Sequence, residues 1–176
     1  MGRQGDVGAA AMIRQRSAIA ALVLTAASLV GIATHEGYMG EAYVPVKGDV
    51  KTIGFGHTGN VKAGDRTTPV RALAVLLDDI SVHAEIVKSC VKVPLYQHEY
   101  DSFVSLAVNI GPGKVGKDGF CVNKQGKTAI IPRRLAAGDY EGACEAILMY
   151  GNFKGKPLPG LTKRRQAEYK TCMGVE

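Results

Sequence analysis

Three residues in the first third of the chain have the types that acid–base chemistry on a sugar bond needs. Glu36 stands in Thr34-His35-Glu36-Gly37, Asp49 follows in a Gly48-Asp49 turn, and Thr52 opens Thr52-Ile53-Gly54-Phe55-Gly56-His57-Thr58-Gly59. Breaking a glycosidic bond takes a protonated carboxyl at the leaving oxygen. It also takes a second group that activates or positions water, or that attacks as a nucleophile. One carboxyl at a helix end and another across a hairpin can face each other over a cleft, and burial against apolar walls can raise the pKa of the first. Spacing alone does not single these residues out, because 16 acidic residues are scattered along the chain and any two can be surface charges. His57 reads more readily as a hydrogen-bonded hairpin anchor than as a catalyst. With Asn109, a polar residue near a helix end, it is carried forward as a candidate substrate contact.

The elements that must position these groups follow from the patterning. From Tyr43 to His57, apolar residues around Gly48-Asp49 suggest a short hairpin. Beyond it the chain is helical. Thr68-Pro69 is a helix start, a capping residue followed by Pro at the first position. Val70, Leu73, Ala74, Leu77, Ile80, Ala84 and Val87 recur at helical spacing as one apolar face, and Tyr96, Tyr100, Phe103, Val104 and Ala107 form a second. Gly111-Pro112-Gly113 stops that second helix. A Gly- and Lys-rich loop follows to about Lys127. Two short helices come next, broken at Gly138-Asp139 and ended at Gly151, then a loop from Lys154 to Gly160 and a last helix over 162–173. The expected fold class is α+β, mainly α: a small N-terminal hairpin beside a helical lobe, with no internal repeat.

Residues 17–34 carry no charge and follow Arg3, Arg14 and Arg16. As one helix they would span about 27 Å, just enough for the hydrocarbon core of a bilayer. The basic flank predicts the N-terminus inside and the rest outside. Eleven of these residues are Ala, Gly, Ser or Thr and only seven are large aliphatics, so leaving a membrane costs less than for a Leu-rich span. Two other readings stand beside the membrane segment. A cleaved signal peptide has the right n- and h-regions, but cleavage near Ala33 would fall almost on Glu36. A buried core helix leaves the clustered arginines unexplained. The expected divisions are a lead over 1–16, a membrane segment over 17–34 and a domain over 35–176. The net charge of +6 suits an anionic partner. With no Trp and no basic stripe interleaved with aromatics, nucleic acid is the weakest of those partners. Cys90, Cys121, Cys144 and Cys172 form no C-x-x-C pair and complete no zinc pattern with the four His. Export favours two disulfides, with three pairings open. Neither a metal nor a cofactor is expected.

Glu36-Gly37, Tyr43 and the run from Thr52 to Gly59 closely resemble the signature of phage lysozymes of glycoside hydrolase family 24. Further segments match in order: Phe103 to Gly111 with its Asn109-Ile110-Gly111, Leu135 to Cys144, and Gly160 to Arg165 with Glu168. The resemblance covers about Glu36 to Cys172, and its nearest subset is the membrane-released endolysins of lambdoid-type phages. It implies a lysozyme-like fold and cleavage of the β-1,4 bond between N-acetylmuramic acid and N-acetylglucosamine by a Glu, an Asp and a Thr. Glu36 and Thr52 match two of the trio. The Asp departs, because its usual position, nine residues after the Glu, is Pro45 here. Asp49 by a shifted loop register, Glu41 as a substitute, or no second carboxylate at all are the alternatives, and Asp49 is taken forward. The implied partners are peptidoglycan glycan strands and, through residues 17–34, the host inner membrane. A monomer is expected, first tethered with its domain in the periplasm and then released there.

With residues 17–34 in the bilayer, Glu36 is held at the interface, and the cleft cannot close around it. Release lets the Ala-rich segment fold against the domain. No cysteine lies in that segment, so control by refolding on collapse of the membrane potential is expected, not thiol exchange. The expected pairing is then Cys90–Cys121 and Cys144–Cys172. The rival functions are a lytic transglycosylase, which needs only one Glu, and a non-catalytic, membrane-anchored wall-binding or holin-like protein.

Overall fold

The computed structural model describes residues 15–46, 48–153 and 155–175. Most of the expected lead falls on residues 1–14, outside this range. The described chain opens with a 3-10 turn, Ile19–Ala21, and helix α1, Ala26–Glu36. Strands β1 (Met39–Tyr43) and β2 (Thr52–Gly54) pair antiparallel, Tyr43 opposite Thr52 and Met39 opposite Gly54. Helices α2 (Pro69–Cys90), α3 (Gln97–Ile110), α4 (Ile130–Ala136) and α5 (Tyr140–Glu145) follow, then a 3-10 turn, Ala146–Tyr150. A short pair, β3 (Asn152–Phe153) and β4 (Lys156–Pro157), precedes α6 (Pro159–Cys172). This is the expected mainly helical α+β architecture, a small N-terminal hairpin beside a helical lobe. The last small pair was read from sequence as plain loop.

Local chemistry explains the boundaries. Thr68 caps α2 by accepting a hydrogen bond from the Arg71 amide at 3.3 Å, and Pro69 fills the first position, as expected. Glu99 reaches back to the Tyr96 amide at 2.8 Å to cap α3. Gly111, at φ 73°, ends it. Asp139 accepts from the Gly142 amide and starts α5 after the Gly138 break. The hairpin is offset from its expected position. Its first strand begins at Met39, and the described residues among 44–51 form no strand, with Val44, Val46 and Val50 exposed. Pro45 has no amide to give a ladder, and the Asp49 amide turns back to the Val46 carbonyl.

Helix α3 runs through the core. Tyr100, Phe103, Val104, Leu106 and Ala107 are completely buried, matching most of the face read from the sequence. The α2 face is partly different. Ile80, Ala84 and Val87 are buried as expected, but the first half turns Ala72 and Leu76 inward and leaves Val70 and Leu77 exposed. That half is apolar on all sides, so periodicity could not orient it. Both expected disulfides are present, Cys90–Cys121 and Cys144–Cys172.

The single membrane-length helix expected over 17–34 is not present in the folded domain. No described helix is long and apolar enough to cross a membrane. Thr25 breaks the segment, because its hydroxyl accepts from the Ser28 amide and its own N–H and O–H both go to Asp101. Leu22, Ile32 and Ala33 are buried in the common core. The buried-helix reading of residues 17–34 fits only in part: within α1, Ile32 and Ala33 are buried while Val30 and most of the rest are exposed. Arg16, whose presence had told against that reading, is bound to Glu99.

Candidate active site

Glu36 is the last residue of α1, followed by Gly37 at φ 73°. Its side chain is 30% exposed, and Oε1 accepts from Arg164 Nη1 at 3.1 Å. The expected apolar walls are therefore absent on this side: the immediate neighbour is a guanidinium. On the other side lies the turn after β2, since a Cβ built on Gly56 would sit 3.5 Å from Glu36 Oε2. Ile53 and His57 exchange both backbone hydrogen bonds, at 2.9 and 3.0 Å, so the chain reverses tightly between them. Thr52 directly precedes this reversal. It is buried, and its hydroxyl donates to the Val50 carbonyl at 3.3 Å, which leaves the oxygen's lone pairs free to accept.

Arg164 links Glu36 to a second carboxylate. Its Nε donates to Glu168 Oε1 at 3.2 Å, and its Nη2 lies 3.4 Å from the Ser105 carbonyl. Ser105 Oγ donates to the same Glu168 oxygen at 2.7 Å, and Arg165 Nη2 does so at 3.1 Å. Arg164, Arg165 and Glu168 are all buried. Burial pushes the Arg165 guanidinium below its ordinary pKa, with Glu168 opposing and Arg164 adding to the shift. Beside Glu36, burial and then Arg164 lower the His35 imidazole, so His35 favours its neutral form. Two guanidinium groups thus hold two carboxylates at the junction of α1, α3 and α6.

The other candidates lie apart from this centre. Asp49 is exposed in the hairpin loop, where its Oδ1 accepts from the Val50 amide at 2.9 Å; its described hydrogen bonds stay within that loop. Glu41, the possible substitute, is paired with Arg66 at 2.6 Å. His57 has both ring nitrogens engaged, Nδ1 with Asp79 at 2.7 Å and Nε2 with the Gly59 carbonyl at 3.0 Å, which ties the hairpin to α2. Asn109 is exposed on α3, one turn beyond Ser105 on the same face. It lines a groove of about 640 Å³ together with Ile130, Arg133, Tyr150 and Leu161. Leu161 is one turn before Arg164 on α6, but neither Glu36 nor Thr52 lines this groove.

Arg164 and Arg165 fall in the last segment of the resemblance and Ser105 in its central one, but neither match signalled the ion pairs found here. The spacing of Arg164 and Glu168, four residues apart on a helix, was the available signal for that ion pair. Nothing local signalled the link from Arg164 to Glu36, which are 128 residues apart.

The phage lysozyme family model matches residues 33–168. An endolysin of Acyrthosiphon pisum secondary endosymbiont phage 1 is 37% identical over 144 residues, 80% of this chain and 90% of that one. A SAR-endolysin of Pseudomonas phage phiKMV is 32% identical over 152 residues, 84% of this chain and 87% of that one. The muramidase domain of SpmX from Asticaccaulis excentricus superposes with a TM-score of 0.72 at 26% identity, covering 86% of this chain and 98% of that chain.

Proposed function

The chain belongs to the phage lysozyme family, and on that premise we propose that it is a muramidase, hydrolysing the β-1,4 bond between N-acetylmuramic acid and N-acetylglucosamine in peptidoglycan. The coarser statement, a phage lysis enzyme of lysozyme type, follows from the family and from its endolysin relatives. The finer one is carried by Glu36, set between Arg164 and the turn that follows Thr52.

Glu36 is the general acid. Protonated, it gives its hydrogen to the glycosidic oxygen as the bond breaks, and Thr52 accepts a hydrogen bond from the water that attacks. Arg164 holds the Glu36 carboxylate against α3 and α6. Asp49 serves as the second carboxylate if the loop closes over bound sugar. Its confinement to its own loop, with Pro45 at the family's usual Asp position, favours keeping a second reading open, a transglycosylase that needs only the Glu.

Residues 17–34 first hold the chain in the host inner membrane, N-terminus inside, and the released enzyme works in the periplasm as a monomer. The SAR-endolysin names of relatives support this, as do two disulfides, which an oxidising compartment maintains.

The test uses purified peptidoglycan. Glu36→Gln is expected to lower turnover by about 10²–10⁴, the usual contribution of a general acid, with a smaller loss for Thr52→Ala. Wild-type turnover in Glu36→Gln would remove Glu36 as the general acid, and no turnover by the wild-type chain itself would end the enzymatic reading. Mass spectrometry of the products decides the chemistry: reducing ends support hydrolysis, and 1,6-anhydro-muropeptides support the transglycosylase. An Asp49→Asn variant as active as wild type would remove Asp49 from the site.

A further inference from the structure

We propose that Arg16 is a positioning residue for the active site: docked on Glu99 between two tyrosines, it closes a latch that forms only after the whole N-terminal segment has left the membrane. This rests on the tethered-then-released reading above.

The latch is a continuous set of contacts between residues 16–25 and the start of α3. Arg16 grips Glu99 with two nitrogens, Nη2 to Oε1 at 2.7 Å and Nε to Oε2 at 3.1 Å. Its guanidinium lies 3.6 Å from the Tyr140 ring centroid and 4.3 Å from that of Tyr96, so it is held by cation–π contact as well as by charge. Ser17 and Leu95 exchange backbone hydrogen bonds at 2.8 and 2.9 Å. Gln97 Nε2 donates to the Val23 carbonyl at 2.8 Å, and Thr25 gives its hydroxyl to Asp101 at 2.6 Å.

The receiving face is built for this segment. The Glu99 side chain is 4% exposed, and Arg16 is its ion-pair partner. Without Arg16 it keeps, among the described residues, only the Tyr96 amide, and a buried carboxylate left without a cation is strongly unfavourable. Asp101, also buried, would keep only Gln97 without Thr25. The domain thus presents two buried acids whose remaining ligands come from the segment.

The link to catalysis is α1. Thr25 caps its first turn and is fixed by Asp101; Glu36 is its last residue and is fixed by Arg164. A helix of this length is a rigid rod of about 16 Å. Freeing its N-terminal end therefore lets the rod tilt or turn and carries Glu36 away from Gly56. Arg16 lies on the inner side of the tether, one residue before the uncharged stretch. While residues 17–34 span the bilayer, Arg16 is a membrane's thickness from Glu99, and the latch is open. Its closure requires the guanidinium itself to cross, which is costly, so the Glu99 site works against that cost.

The experiment uses the full-length oxidised chain, purified after release. Arg16→Ala, Glu99→Gln, the double variant and Arg16→Lys are compared by hydrogen exchange of the amides of residues 17–36 and by kcat and KM on purified peptidoglycan. Arg16→Ala is expected to speed exchange across the segment about tenfold and to lower kcat by about tenfold, the scale of one buried charge-assisted pair. KM stays within about twofold, because the groove beside Asn109 is untouched. The double variant is no worse than the worse single one. Arg16→Lys recovers only part of the loss, since an ammonium lacks the planar fork that fits between the rings. Unchanged exchange and kcat in Arg16→Ala would overturn the latch; faster exchange with wild-type kcat would overturn the positioning role. Fractionation of intact cells tests the tether separately. Wild-type chain never found with the membrane ends that reading and the switch built on it, while the contacts measured on the purified chain stand or fall on their own.

Discussion

Tyr100 shows at the scale of one residue how burial dominates a chemical property. Its ring is completely buried in α3, and its hydroxyl has no hydrogen-bond partner among the described residues. Burial, with the charges of Glu85 and Asp101 adding to it, pushes its pKa from 10.0 up to about 12. The folded chain therefore keeps the phenolic proton while the unfolded chain releases it above pH 10. The stabilisation is full below pH 10 and is lost as pH rises through the window up to about 12. Tyr100→Phe is expected to match or exceed wild-type stability at pH 8, because it removes an unpaired buried hydroxyl. By pH 11 its advantage should have grown by on the order of 1 kcal/mol. Urea unfolding of both proteins at the two pH values checks this, and a difference that stays constant with pH would refute it. The candidate site was only partly legible at this scale. Glu36 and Thr52 stood out through the family's motif. The Glu36–Arg164–Glu168 chain did not, because it forms only when α1 and α6 meet.

At the scale of elements, the boundaries with a chemical cause were legible and those set by packing were not. Thr68-Pro69 began α2 and Gly111 ended α3 because caps and glycines act locally. The rotation of the first half of α2 was hidden, since apolar residues there surround the axis and the neighbours choose the face. The segment from Ser17 to Thr34 was open to a membrane reading and a folded one for one reason. Its small side chains make a weakly apolar span, and they also let α1 pack closely on the core. The loop from Val44 to Lys51 escaped the strand reading because Pro45 and the Gly48-Asp49 turn outweigh β-branched residues. Packing of β2 on α2 is tight enough to test. Gly54 has φ 66°, and a Cβ there would meet Ala72 Cβ at 2.9 Å. Gly54→Ala combines a left-handed backbone with a clash, and should cost about 2–4 kcal/mol. It should also lower turnover of the molecules that remain folded, because the same turn places Gly56 against Glu36. A variant within about 0.5 kcal/mol of wild type in urea unfolding would mean that the hairpin yields freely, and that its position does not depend on α2.

For the whole molecule, the disulfides fasten two different parts of the chain to one core. Cys90–Cys121 joins the end of α2 to the loop beyond α3 and closes 31 residues; Cys144–Cys172 joins α5 to α6 and closes 28. Loops of this length restrict the unfolded chain enough to contribute about 3–4 kcal/mol each. The loops do not overlap in sequence, so their effects should add. The core through α3 is nonetheless large enough to fold without them, unlike that of a very small secreted domain. Replacing Cys90 and Cys121 by Ser, Cys144 and Cys172 by Ser, or all four together should therefore lower unfolding free energy in steps, leaving a folded and active enzyme at moderate temperature. Neither bridge includes a residue of the Glu36–Arg164 site or of the segment from Arg16 to Thr25, so loss of a bridge should not change the timing of the proposed switch. Lysis timing in cells carrying the Cys90→Ser chain separates the two roles. Lysis while the chain is still in the membrane would make the thiols part of the proposed switch, whereas unchanged timing with reduced stability of the purified enzyme leaves them as fasteners of the domain, separate from that switch.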